Sequence, residues 1–144
     1  MAGPKLELRG HKELIRKLKK LGDRRKLKRV VRKATAAAAQ VVVKGVRAEW
    51  PEDTGLSKRS VTRKVTSGRA GYNGIIGVDK AAGDETHVPS NIDHLIEFGW
   101  QTPDGTTVPA VAPLRRGYDA TQAAALARFA EKAAQEIERE ATRK

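Results

Sequence analysis

The stretch of this sequence with the most obvious potential for chemistry is PEDTGLSKRS, residues 51–60, where one glycine precedes a serine–lysine–arginine–serine run. Loops that end in Gly-Lys-Ser or Gly-Lys-Thr hold phosphate groups, but they need several glycines between a buried strand and a helix. Gly55 is the single glycine of this stretch, and a segment of helical periodicity that ends at Trp50-Pro51 precedes it. We therefore interpret the stretch as the start of a helix, not as a phosphate-binding loop.

Asp53 fits this interpretation. We expect it to be the N-cap of a short helical turn that Thr54 and Gly55 open and that carries Leu56 and Lys58. A carboxylate at this position also suits the positive end of the helix dipole. The sequence thus predicts a structural role for this segment.

The histidines and acids predict no metal or catalytic centre. The three histidines are scattered, and the chain has no cysteine to supply a thiolate ligand or nucleophile. His94 and Glu97 are three residues apart, but two ligands without a third make a weak metal site. No spacing among the acids selects a pair for acid–base catalysis. The sequence therefore predicts no catalytic, metal-binding or cofactor-binding residue, and we expect the protein not to be an enzyme.

The charge of the chain is high and unevenly distributed. Its 29 Lys+Arg and 17 Asp+Glu give a net charge of +12. Residues 1–70 carry 21 basic and 6 acidic side chains, whereas residues 71–144 carry 8 and 11. Such a split favours contact with a polyanion or head-to-tail packing between copies, although a solvated surface helix also fits it. No apolar run approaches the ~18 residues of a membrane span, so we expect no membrane contact.

Helical periodicity covers most of the first third of the chain. The segment HKELIRKLKKL predicts a short N-terminal helix, which Gly22 ends. Asp23 is the predicted N-cap of a long helix over residues 23–49, and Pro51 is expected to end that helix. The predicted apolar positions of the long helix are Leu27, Val30, Val31, Ala34, Ala38, Val41 and Val42. Its cations form a basic surface of Arg24, Arg25, Lys26, Lys28, Arg29, Arg32 and Lys33.

The middle of the chain has a different pattern, rich in β-branched residues and glycine. It predicts two antiparallel strands, about Val61–Ser67 and Tyr72–Val78, joined by the turn SGRAG. IDHLIEFG is a short helix or strand, and residues 101–111 are predicted to be a long loop. A clear helix follows over about residues 114–142, with a predicted apolar stripe of Leu126, Phe129, Ala130, Ala133, Ala134 and Ile137.

Together these elements predict an α+β fold. A small antiparallel sheet packs with the two long helices, and a short N-terminal helix precedes them. We expect one domain over residues 1–144, with flexible ends at 1–9 and 143–144.

Three short motifs occur in order along the chain: DTG after a proline, EFG within HLIEFGW, and APL within VAPLRRGYDA. The order resembles that of the tail-completion, or head–tail joining (neck), proteins of long-tailed bacteriophages, whose usual pattern is P-x-DTG-x-L-x-x-S, then EFG-T, then PFL-x-PA. Two positions depart from this pattern. Trp100 stands where the family usually has threonine, and Ala112-Pro113-Leu114 replaces the usual proline–phenylalanine–leucine. The resemblance covers about residues 10–142. Its motif residues are Asp53, Thr54, Gly55, Glu97, Phe98, Gly99, Trp100, Pro113 and Leu114.

The resemblance implies a structural role. Such subunits assemble as a homo-oligomeric ring at the head-proximal end of the tail, finish the tail and join it to the filled head. DNA passes through the centre without specific binding. Neighbours would be tail-terminator and head-connector proteins, and the protein would be made in the bacterial cytoplasm and end in the virion. A basic and an acidic half would then give the complementarity that head-to-tail subunits need.

Several residues of these motifs have alternative roles. Glu97 is either a buried carboxylate paired with a cation from the basic half or an exposed acid at a helix end; we favour a structural role. Phe98 and Trp100 alternate across Gly99, so we expect one to enter the core and the other to lie at an interface. The loop 101–111 is either an arm that reaches a neighbour or disordered.

The cations of residues 24–33 are expected to face DNA in the lumen, an acidic neighbouring ring or solvent. We favour the neighbouring protein, because a channel that must release DNA quickly gains little from tight phosphate binding. The alternative function is a basic nucleic-acid-binding protein that acts through this surface alone. One aromatic residue in the basic half, Trp50, gives little support to base stacking.

Overall fold

A computed structural model describes residues 22–52, 56–69, 71–79 and 93–142 of the chain. The predicted N-terminal helix, the DTG motif and the chain ends 1–9 and 143–144 lie outside these residues. The elements in chain order are α1 (Arg24–Glu49), α2 (Leu56–Ser60), β1 (Val61–Gly68), β2 (Gly71–Val78), α3 (Asp93–Phe98), β3 (Trp100–Gln101), β4 (Thr107–Val108) and α4 (Pro113–Thr142). The predicted α+β fold is confirmed: the two long helices α1 and α4 pack together, and the antiparallel hairpin packs on α1.

Helix α1 begins and ends where the sequence predicts. The Asp23 carboxylate accepts hydrogen bonds from the backbone N–H groups of Arg25 (2.8 Å) and Lys26 (3.4 Å). The hydrogen bond from Arg25 is the main reason that the pKa of Asp23 is lowered. At the other end Trp50 has extended backbone angles, φ −74° and ψ 129°, as expected of a residue before proline.

Strands β1 and β2 form an antiparallel hairpin in which Val61 faces Val78 and Gly68 faces Gly71. Each strand is slightly longer than predicted. The hairpin packs on α1, where Gly74 lies so close that a Cβ atom there would be 3.1 Å from the Ala39 Cβ. One side of α1 is therefore covered by the hairpin.

Helix α4 packs against α1 through very small residues. A Cβ on Gly117 would lie 2.4 Å from the Val46 Cα and 2.5 Å from its backbone nitrogen. A Cβ on Gly45 would in turn lie 2.3 Å from a methyl carbon of Thr121. Ala38 and Ala125, both 0% exposed, are also buried in the core. The two helices thus approach to backbone contact, and α1 is buried on two sides.

The predicted apolar stripe of α4 is wrong in part. Leu126 is 44% exposed, and Ala130 and Ala134 are exposed as well. The buried face follows Gly117, Ala125 and Phe129 instead, together with Ala133. The physical reason is the close contact at Gly117, which turns that side of α4 toward α1 and leaves the bulkier Leu126 outside.

The segment between α3 and α4 is more ordered than the predicted loop. Trp100 pairs with Val108, and Gln101 with Thr107, in a two-residue antiparallel ladder. The turn between these strands is closed by a hydrogen bond from the Thr102 N–H to the Thr106 carbonyl (2.9 Å). The preceding IDHLIEFG segment, which the sequence assigns to helix or strand, is the helix α3. No helix among the described residues is both long enough and apolar enough to span a bilayer.

We expect Gly117→Ala to lower the free energy of unfolding by about 3 kcal/mol or more, because the new methyl group would meet rigid backbone. The measurement is urea denaturation followed by far-ultraviolet circular dichroism. Gly77→Ala is the matched control, since a Cβ there meets no atom within 4 Å. Its effect should stay within about 1 kcal/mol. Equal effects of the two substitutions would contradict the close α1–α4 contact.

Candidate functional site

The Glu97 side chain, 9% exposed, caps the N-terminus of α4 from the neighbouring helix α3. Its carboxylate accepts hydrogen bonds from the backbone N–H of Leu114 (2.8 Å) and of Arg115 (3.2 Å). These amides belong to the first turn of α4, which has no carbonyl partners of its own. Pro113, which has no N–H, occupies the first position of the helix. A buried negative charge is also favourable at the positive end of a 30-residue helix.

This arrangement corrects one prediction and confirms another. Glu97 is buried, as one predicted environment has it, but its partners are backbone N–H groups and not a cation from the basic half; the alternative of an exposed acid at a helix end is wrong. The interaction also joins two motifs, since the acid of EFG binds the backbone of Leu114 from APL. The sequence signal was the proline before Leu114, which is typical of a helix start in need of a cap.

Gly99 is required by the backbone around it. Its φ is +73°, in the left-handed region that favours glycine. A Cβ there would lie 2.6 Å from the Val108 carbonyl oxygen and 2.8 Å from the Ala110 nitrogen. The chain after β4 is also tied back to α3, because the N–H groups of Val111 (3.0 Å) and Ala112 (3.2 Å) donate to the Ile96 carbonyl. Helix α3, the β3–β4 pair and the start of α4 are therefore one connected unit.

This unit exposes large apolar side chains. Phe98 is 58% exposed, Trp100 40% and Val111 36%. The expectation that Phe98 or Trp100 enters the core is wrong, because Gly99 turns the chain into a strand that pairs with β4 and not with the main hairpin. We call Phe98, Trp100 and Val111 the apolar patch.

The predicted basic surface divides into two groups. Arg29 pairs with Glu140 (3.1 Å) and Lys33 with Glu136 (2.7 Å), so two of its cations bind the end of α4. Among the described residues, no ion pair engages the side chains of the other five, all exposed: Arg24, Arg25, Lys26, Lys28 and Arg32. We call these five the cationic surface. Ion pairs within one chain therefore satisfy part of the charge complementarity between the basic and acidic halves.

Glu136 is the buried acid of this network, with a side chain 3% exposed. Lys33 and Lys132 both contact its carboxylate, at 2.7 and 3.0 Å. The hydrogen bond from Lys33 is the largest cause, and that from Lys132 the next, of a pKa lowered to about 2. The Lys132–Glu136 contact lies within α4 at i,i+4 spacing, whereas the bond from Lys33 joins α1 to α4.

Other residues that the sequence singles out are not brought together. His94 is exposed and lies 3.9 Å from its neighbour Asp93, while the Glu97 carboxylate is engaged by α4. Within the described ranges, no group of three or more histidine and acidic side chains is arranged to hold a metal ion. The Asp53–Thr54–Gly55 motif lies outside those ranges, so its predicted capping role stays a prediction.

Comparison with known proteins gives one match. A family model described as "Bacteriophage HK97-gp10, putative tail-component", of the HK97-gp10-like family, matches residues 12–99, which is more than half of the 144-residue chain. The matched region ends at Gly99, so it includes Glu97 but neither Trp100 nor α4. Neither a curated protein nor a solved structure matches the chain.

We expect Glu97→Ala to lower the free energy of unfolding by about 1–3 kcal/mol, because two part-buried backbone N–H groups in the first turn of α4 lose their acceptor. The backbone N–H groups of Leu114 and Arg115 should exchange with solvent faster in the variant, by at least the factor that its loss of global stability predicts. Glu97→Gln, which keeps one acceptor oxygen, should cost less. If Glu97→Ala left both the stability and the exchange rates unchanged, the cap would contribute nothing.

The pKa of Glu136 predicts how stability changes with pH. A carboxyl whose pKa is lowered in the folded state stabilises the protein above its unfolded pKa, and this contribution is lost as the pH falls from about 4.5 to about 2. Glu136→Gln should therefore flatten the loss of stability in that pH range. It should also lower stability at pH 7 by about 1–3 kcal/mol. Parallel pH profiles for both proteins would refute this assignment.

Proposed function

Because this chain belongs to the HK97-gp10-like family of bacteriophage tail components, we propose that it is a tail-completion or neck subunit. In this role it assembles as a ring at the head-proximal end of a phage-type tail and helps to join the tail to the DNA-filled head. A tail component is part of the virion. Its neighbours would be tail-terminator and head-connector proteins, and its role would be structural rather than enzymatic.

The observation that carries this proposal is the apolar patch. Phe98 and Trp100 would each bury a large apolar area at a contact with another subunit, and large aromatic side chains are common energetic centres of protein interfaces. Their exposure in a single chain has a cost in water that such a contact removes. Scattered apolar residues are normal on a surface, but two aromatics on either side of one glycine are a concentrated apolar feature.

The rigidity of the surrounding backbone supports the same role. The Glu97 cap, the Gly99 turn and the hydrogen bonds to Ile96 hold both ends of the segment that carries the aromatics. A preorganised segment loses little conformational entropy when it binds. In a ring, each subunit presents one surface to the next and a different surface to the previous one. The apolar patch would be one of these two surfaces.

We expect Phe98→Ser combined with Trp100→Ser to leave the fold intact but to reduce ring formation and tail-to-head joining at least tenfold, because the apolar contact is removed. Native mass spectrometry measures the oligomer. Electron microscopy of particles complemented with the variant counts tails joined to heads. Ile75→Ser is the control, since Ile75 is an exposed apolar residue (54%) on the separate strand β2.

The control should assemble like the original chain. Normal rings and normal particles with the double variant would contradict a role for the apolar patch. A protein that stays monomeric at high concentration and never co-purifies with tails would contradict the neck role altogether.

A further inference from the structure

The cationic surface lies in the first three turns of α1, and its five side chains are exposed. Arg25, Lys28 and Arg32 follow one another at helical spacings of three and four residues, which places them on one side of α1. The same side continues into Thr35 and Ala39, which are buried beneath Gly74 of β2. The face thus changes from apolar and covered to cationic and exposed within about two turns.

The positions of these cations are electrostatically unfavourable for the helix. Arg24, Arg25 and Lys26 occupy the first turn of α1, which contains no acid, although this is the positive end of the helix dipole. The Asp23 carboxylate lies beside them, accepts hydrogen bonds from the backbone there and interacts with the charges of Arg25 and Lys26, but it is a single acid beside five cations. Residues that are unfavourable for the local structure and have no compensating contact are typical of functional surfaces. An anionic partner would provide that compensation.

The composition of the surface favours a nucleic acid over a protein as this partner. Between Arg24 and Arg32 the apolar side chains are turned inward: Val30 is buried, and Leu27 and Val31 are half-buried. A specific protein interface needs an apolar centre, which this surface does not offer. Contacts to a phosphate backbone need only cations, and their energy comes largely from the release of counterions.

Most acids in the described part of a second copy are already engaged within their own chain. Among the described residues, Glu49, Glu52, Glu131, Glu136 and Glu140 all take part in ion pairs within the chain. Glu97 caps α4, and Asp104 accepts hydrogen bonds within its own turn. Asp119 and Glu138 are exposed but single carboxylates, and they do not form a cluster that matches five cations.

We propose that the cationic surface binds the phosphate backbone of duplex DNA without sequence preference. This inference goes beyond the proposed assembly role and does not depend on it, because it rests on the charges of α1 and not on the apolar patch. It also reverses the sequence-based preference for an acidic neighbouring protein, which rested on the need of a channel to release DNA quickly.

The test compares two triple variants of the full chain with the same change in net charge. Arg25→Glu, Lys28→Glu and Arg32→Glu alter the cationic surface. Lys44→Glu, Arg59→Glu and Lys64→Glu are the matched control, because these cations are also exposed but lie elsewhere. Binding to a 30-base-pair duplex of arbitrary sequence is measured by fluorescence anisotropy over a range of salt concentrations, with a second unrelated duplex and a polyglutamate peptide as further probes.

We expect the original chain to bind both duplexes equally and more weakly as salt rises. The surface variant should lose at least tenfold in affinity at low salt, and its slope of log affinity against log salt should fall by about two to three, since about 0.9 is lost with each phosphate contact. The control variant should lose clearly less. Acids in the first turn suit the helix dipole, so α1 should still form, and circular dichroism checks this. If the triple glutamate variant of the cationic surface does not fold, the neutral substitutions Arg25→Gln, Lys28→Gln and Arg32→Gln are tested in its place.

Three results would overturn the proposal. Equal losses in both variants would mean that net charge alone drives binding. Absence of duplex binding at low salt would remove the DNA contact. Binding of polyglutamate in preference to DNA would assign the surface to an acidic protein. None of these results bears on ring formation, which the aromatic variants test separately.

Discussion

The backbone contact between α1 and α4 at Gly45 and Gly117 is the constraint on which the rest of the structure depends. With no side chain at either glycine, the two helices approach until Gly117 meets the backbone of Val46. This contact fixes the start of α4 beside the end of α1. Because the helices are antiparallel, it also brings Glu136 and Glu140 at the far end of α4 to Lys33 and Arg29 near the start of α1.

The position of α3 follows from the same contact. Once α4 starts beside α1, its first amides face the Glu97 carboxylate, and α3 is held there by this cap and by the hydrogen bonds to Ile96. Helix α3 is only six residues long, so burial of its own apolar side chains contributes little. The Glu97 cap on α4 holds this segment in place, so its aromatic side chains need not enter the core. Phe98 and Trp100 can therefore remain exposed.

The sequence predicts the elements of this fold well because each is specified locally. Asp23 and Pro51 delimit α1, and alternating β-branched residues specify β1 and β2. The buried side of α4 depends instead on where two glycines meet, so periodicity selected Leu126, which the structure exposes. Glu97 shows the same limit for the site. Its hydrogen-bond partners lie 17 and 18 residues further along the chain and are backbone groups, which no pattern of side chains reveals.

The packing of α1 against α4 divides the uneven charge of the chain into two parts. Part of it holds α1 to α4, through Arg29 and Lys33, whereas the five residues of the cationic surface form no ion pair within the described part of the chain. These cations lie near the start of α1, whereas the apolar patch lies near the start of α4, at the other end of the helix pair. A 26-residue helix is about 39 Å long, so a partner at one surface need not obstruct a partner at the other. The same chain therefore has room for an apolar protein contact at one end and an electrostatic contact with DNA at the other.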